Sequence, residues 1–205
     1  FKSITVQKPL EVSSQKSELN LNEDFYRYFN LGQRRFISSL IWTQTLLFSD
    51  LEHFSKNNEY SWMYHRFNAI SIIDPMFYSN YHIGGQYLSI IKDDLLGSEK
   101  IYLKGISKFP KDLWLNFHLG FQYLYLMNNH QGLYYFEKLL VNPENIKKIP
   151  ILPLIVSRVK KDQGNLDSAI YILKTTLEIT PKSSPLYKSY QIRLEQLRLK
   201  KRKKY

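Results

Sequence analysis

The chain has 205 residues, 43% of them hydrophobic and 15% aromatic, with no cysteine and a formal net charge of +11. That composition carries enough apolar surface for a folded domain and excludes disulfides and thiolate metal sites. Only 8 Gly and 8 Pro are present, which tilts the fold towards helices, because all-β chains of this size need more turn residues.

Six basic residues, Arg198, Lys200, Lys201, Arg202, Lys203 and Lys204, lie in the last eight positions. They supply about half of the excess charge, so the body reads as only mildly basic and the charge as a tail. No stretch reaches the roughly 18 uninterrupted apolar residues of a membrane span. The longest candidate, Phe36 to Phe48, is broken by Ser38, Ser39, Thr43, Gln44 and Thr45. The lack of cysteine suits the cytoplasm, slightly favoured, and suits the periplasm too. The opening Phe1 leaves room for a removed leader or anchor.

Residues 1–20 are polar around Pro9 and read as an extended arm or linker. Asn22 is placed to cap a short helix carrying Phe25, Tyr26, Tyr28 and Phe29. From Gln33 to Phe54 the spacing predicts one long amphipathic helix facing the core through Phe36, Leu40, Thr43 and Leu47, flanked by Ile37, Ile41 and Phe48. Asn57-Asn58 breaks it. A second helix runs from Tyr60 to Ile73 and stops at Asp74-Pro75.

Prolines expected to end apolar helices recur at Pro75, Pro110, Pro143 and Pro181, at gaps of 35, 33 and 38 residues. Each gap holds two helical stretches divided by a polar turn: Lys92-Asp93-Asp94, Asn128-Asn129, and Asp162-Gln163-Gly164-Asn165. In the clearest unit Leu119-Gly120, Tyr123, Gly132, Phe136 and Leu139 stand in register. Aligned from Phe77, Ile83-Gly84 and Tyr87 fit, with one residue inserted before Gly97. Aligned from Pro150, Ala169, Leu173 and Pro181 fit, while Ser157 and Lys160 depart.

These residues and the period near 34 resemble the tetratricopeptide repeat family. The resemblance implies an all-α fold: a right-handed superhelical stack of antiparallel helix pairs closed by a capping helix. The repeats fall at about 33–75, 77–110, 113–146 and 150–181, with the cap at 185–197. Together they form one helical domain over 21–197, followed by a basic tail, 198–205, expected to fray into solvent. It also implies a groove lined by the first helix of each repeat. That places Trp114, Phe117, Phe121, Leu124 and Tyr125 in its middle, with Tyr78, Tyr81 and Leu88 before them. Ile151, Leu154, Arg158, Lys161 and Asp162 make its far end basic.

The sequence has no Walker loop, dinucleotide fingerprint, nucleophile elbow or zinc-protease helix, and no two of its five histidines are three or four apart. The expectation is therefore a scaffold or adaptor, with no catalytic residue, cofactor, metal or small-molecule substrate. It would bind a peptide, a helix or a neighbouring subunit of a larger complex. The alternative is recruitment to an anionic membrane through the tail, with nucleic acid ranked below a protein partner.

Overall fold

The computed structural model describes Tyr28 and residues 32–49, 60–127 and 130–204. The expected arm, the helix capped by Asn22, and the breaks at Asn57-Asn58 and Asn128-Asn129 lie outside the described residues. Apolar residues recurring every three to four positions give helices throughout. Among the described residues there are ten α-helices and two π-helical turns, and no strand.

The chain divides between Pro110 and Lys111 into two compact units. The first holds α1 (Arg34–Leu47), α2 (Trp62–Ile73), α3 (Tyr78–Gln86), which runs into a π-helical turn at Tyr87–Ile91, and α4 (Leu95–Lys108). The second holds α5 (Leu113–Phe121), continued by a π-helical turn at Gln122–Leu126, then α6 (Gly132–Leu140), α7 (Pro143–Lys148), α8 (Leu152–Asp162), α9 (Leu166–Ile179) and α10 (Tyr187–Lys204). Within each unit consecutive helices pack on one another: α1 on α2 and α3 on α4, then α5 on α6, α8 on α9 and α9 on α10.

Side chains that satisfy the first free N–H groups start these helices. Ser61 Oγ accepts from the Tyr64 N–H at 3.3 Å, Asp112 Oδ1 from Leu115 at 2.8 Å, and Asn165 Oδ1 from Ser168 at 3.1 Å. Asp94 does two jobs. Its Oδ1 caps α4 through the Gly97 N–H at 2.7 Å, and its Oδ2 accepts the Ser61 N–H at 2.7 Å. One buried carboxylate thus ties the start of α2 to the start of α4.

The hairpins α3–α4 and α5–α6 repeat with an offset of 35 residues. Tyr78 corresponds to Leu113, Gln86 to Phe121, and the π turn at Tyr87 to that at Gln122. The closing bonds correspond too: the Lys92 N–H donates to the Tyr87 carbonyl at 3.0 Å, and the Met127 N–H to Gln122 at 2.9 Å. This corrects the expected register. Gly85, not Gly84, is the counterpart of Gly120, and Gly97 then matches Gly132 with no inserted residue.

The reason is close approach. A side chain at Gly132 would run into the Gly120 carbonyl and meet the Leu124 amide at 2.9 Å, and one at Gly120 would press on Phe136 at 2.9 Å. In the other hairpin a side chain at Gly85 would hit the Tyr102 ring, and the Gly85 carbonyl accepts the Ser98 hydroxyl at 2.8 Å. The third pair, Ser157 and Ala169, is fully buried at the same spacing of twelve.

Three further expectations change. α1 turns its other face inward: Ser38, Ile41 and Thr45 are buried, while Phe36, Leu40 and Leu47 are about half or more exposed. Small side chains there let α1 lie near α2, and Thr45 Oγ1 turns back onto the Ile41 carbonyl at 2.7 Å. Trp42 fills the remaining gap against Phe67 and Phe77, at 5.4 and 5.6 Å between ring centroids.

Pro143 opens a helix instead of ending one. It is the first residue of α7, capped by Asn142, whose Oδ1 accepts the Glu144 N–H at 3.1 Å. This added turn sends Ile146 and Ile149 inward and lengthens the next offset from 35 to 37, from Gly120 to Ser157. Finally, the expected fraying tail is helical. α10 buries Tyr190, Leu194 and Leu197 against Leu166, Ala169 and Leu173, then continues to Lys204, with Lys201 paired to Asp167 on α9.

A methyl group at position 132 has nowhere to go without moving backbone. Gly132→Ala is expected to cost about 1–3 kcal/mol in urea unfolding, despite alanine's better helix propensity. An unchanged midpoint would contradict the close approach.

Candidate partner-binding face

The four aromatics expected on α5 form a continuous ladder along one side of the helix. Trp114 stacks on His118 (6.1 Å, 27°) and meets Phe117 edge-on (6.3 Å, 90°). Phe117 continues to Phe121 at 6.4 Å, and Phe121 to Tyr125 at 4.8 Å. Spacings of three and four residues put these side chains above one another. Phe117 is half-buried and anchors the ladder against Phe136 at 5.5 Å. Trp114, Phe121 and Tyr125 remain 40–45% exposed. Leu126, 43% exposed, extends the surface. It was not foreseen, because the π turn rotates the last residues of the helix away from where a regular spiral would put them.

The first unit does not supply a matching ladder. Tyr81 is buried, and its hydroxyl donates to the Pro75 carbonyl at 2.9 Å. Tyr78 is half-buried against His82 and Phe109, each 5.5 Å away. Leu88 is fully buried. The one-residue register error explains all three. In the corrected register the counterparts of Trp114, Phe121 and Tyr125 are Ser79, Gln86 and Ile90, of which only Ile90 is a large exposed apolar residue.

On α8 the offset of 37 puts Ile151, Arg158 and Asp162 at those same places. Ile151 is half-exposed and Arg158 exposed. Lys161 is half-buried and pairs with Asp162 at 2.8 Å. Lys160 turns the other way, to Glu137 on α6 at 2.6 Å. α5 and α8 adjoin through one apolar cluster, in which Leu113, Leu152, Val156 and Phe136 are buried and Phe117 and Ile155 pack against them. Of the tail cations, Arg198, Lys200, Arg202 and Lys203 are exposed on α10, while Lys201 is engaged by Asp167. The side chain of Lys204 lies outside the described residues.

An apolar hollow of about 510 Å³ opens between α6, α7 and α9 and is lined by Leu140, Val141, Ile146, Tyr171, Ile172 and Ile179. It exists because α7 is wedged into the turn after α6, which the proline spacing alone did not reveal.

The chain matches no family model, and no curated protein matches it significantly.

Burial also sets a limit at high pH. It pushes the Tyr81 hydroxyl up to about 12, with the negative charge of Asp74 adding to the effect. Burial raises Tyr102 and Tyr190 as well. These phenols are neutral in the folded state where the unfolded chain ionises, near pH 10. Their contribution is therefore complete below pH 10 and is lost as pH climbs towards 12 and beyond. Urea midpoints are expected to fall over that range, with Tyr102→Phe showing a shallower fall than wild type. Equal slopes would contradict the assignment.

Proposed function

We propose that the chain is a non-enzymatic scaffold of the tetratricopeptide kind. Its helix pairs stack into a right-handed superhelix capped by α10, and the faces of their first helices hold a partner. The partner is a peptide, a helix or a neighbouring subunit of a larger complex. The observation that carries this reading is the α5 ladder: Trp114, Phe121 and Tyr125, large aromatic side chains in a row on one helix, stay substantially exposed. Rigid aromatics in contact along a helix bury much area with little loss of side-chain freedom, which is how a few residues come to dominate an interface. Hairpins recurring at 35 and 37 residues support the stacked arrangement, since each pair leaves apolar surface for the next.

The alternative reading, an adaptor recruited to an anionic membrane surface through its C-terminus, is favoured by one observation. Arg198, Lys200, Arg202 and Lys203 stand exposed on an ordered helix.

The two readings part on one comparison. Trp114→Ala and Phe121→Ala are each expected to lose the proteins recovered with the wild-type chain in a mass-spectrometric pull-down, while helical circular dichroism is unchanged. Deleting 198–205 should leave that set intact. Retention by both folded alanine variants would overturn the α5 assignment, and loss only on deletion would favour the tail.

A further inference from the structure

We propose that the polypeptide held on α5 is acidic, carrying Asp or Glu beside its apolar anchors to meet cations of α8 and α10. This rests on the reading of α5 as the binding face. The charge of the chain is divided unevenly: residues 111–205 hold 17 Lys and Arg against 7 Asp and Glu, residues 1–110 hold 12 against 11. The second unit therefore carries +10 of the net +11.

Part of that charge lies on α8, the helix that shares an apolar cluster with α5. Arg158 stands at the place on α8 that Phe121 holds on α5, exposed and without an ion pair among the described residues. Just beyond it the Lys161 ammonium lies 2.8 Å from the Asp162 carboxylate. The positive charges of Arg193 and Lys200 on α10 act on the same carboxylate from further off.

Asp162 reports what this surface does to an anion. Its carboxyl is held below the usual carboxylate range by the hydrogen bond from Lys161 and by the charges of Lys161, Arg193 and Lys200, though it stays well exposed. Three positive charges act on this one carboxylate, and Lys161 is the one in contact with it. A second carboxylate, arriving on a partner, would meet the same positive charges.

The ring geometry separates a polypeptide from single-stranded nucleic acid. Bases need open aromatic faces to stack on. Here Trp114 is stacked on His118, Phe121 lies against Tyr125, and Phe117 lies against Phe136. What remains is a ridge for side chains to pack around. A lipid surface needs a broad apolar face on the cationic helix, and α10 exposes only Ile192 and Leu199 as large apolar residues.

The test is selection from a random displayed-peptide library on the immobilised full chain, in parallel with a double variant, Arg158→Glu with Lys200→Glu. Circular dichroism controls the fold. Wild type is expected to enrich sequences with Asp and Glu next to aromatic or aliphatic residues. The selected peptides should bind the double variant about tenfold more weakly and weaken with added salt. Selected peptides without acidic enrichment, or with equal affinity for both proteins, would overturn the inference. If Trp114→Ala still abolished their binding, the α5 face would stand and only the acidic partner would fall. An empty selection, or tighter binding of oligothymidylate or phosphatidylserine vesicles at the same residues, would also overturn it.

Discussion

The structure depends on how near two antiparallel helices are allowed to come. At Gly120 and Gly132 nothing stands between the backbones, and the space a side chain would take is already held by a carbonyl, an amide and the Phe136 ring. Such contact fixes the depth of the hairpin, and depth decides which residues become core. Phe136 and Leu119 are fully buried because the helices meet there. Each large apolar side chain enclosed in this way contributes about 1.5–3 kcal/mol. The same constraint sets the outer side. With Leu113, Leu115 and Leu119 committed to the interior, Trp114, Phe121 and Tyr125 are left pointing out.

Much of this was legible in the sequence, for a physical reason. Helix periodicity and capping are local, so the helical class and the turns at Lys92-Asp93-Asp94 and Asp162-Gln163-Gly164-Asn165 were available from spacing, while the aromatic side of α5 came with the family resemblance. Register is not local. Gly84 and Gly85 are adjacent, and spacing cannot say which of them faces the partner helix. The structure puts the Tyr102 ring hard against Gly85 and the Phe67 ring less tightly over Gly84, and only Gly85 matches Gly120. That single step moved Tyr81 from an expected surface into the core.

The other departures have the same character. α1 has an evident oily stripe, Phe36 to Leu47, yet packs through Ser38, Ile41 and Thr45. Close packing on α2 decides the inward face, and the spacing along one helix does not reveal it. Pro143 serves equally as a terminator and as a first helical residue, and Asn142 before it decides for the second. The basic tail stays helical because α10 is already nucleated by Tyr190, Leu194 and Leu197, and extending a helix is far easier than starting one. Lys201 adds its pairing with Asp167 across the packed helix. What reads in the sequence as a solvated charge run thus becomes part of an ordered surface, and the +10 of the second unit acquires a geometry.

Because the chain contains no cysteine, the central claim, that small residues on facing helices set how near the two come, is open to a direct measurement by engineered disulfides. Ser157→Cys combined with Ala169→Cys should oxidise readily to a cross-linked monomer. Arg158→Cys with Ala169→Cys, one residue out of phase and facing outward, should remain reduced under the same conditions. Equal cross-linking of both pairs, or cross-linking of the second alone, would contradict the account.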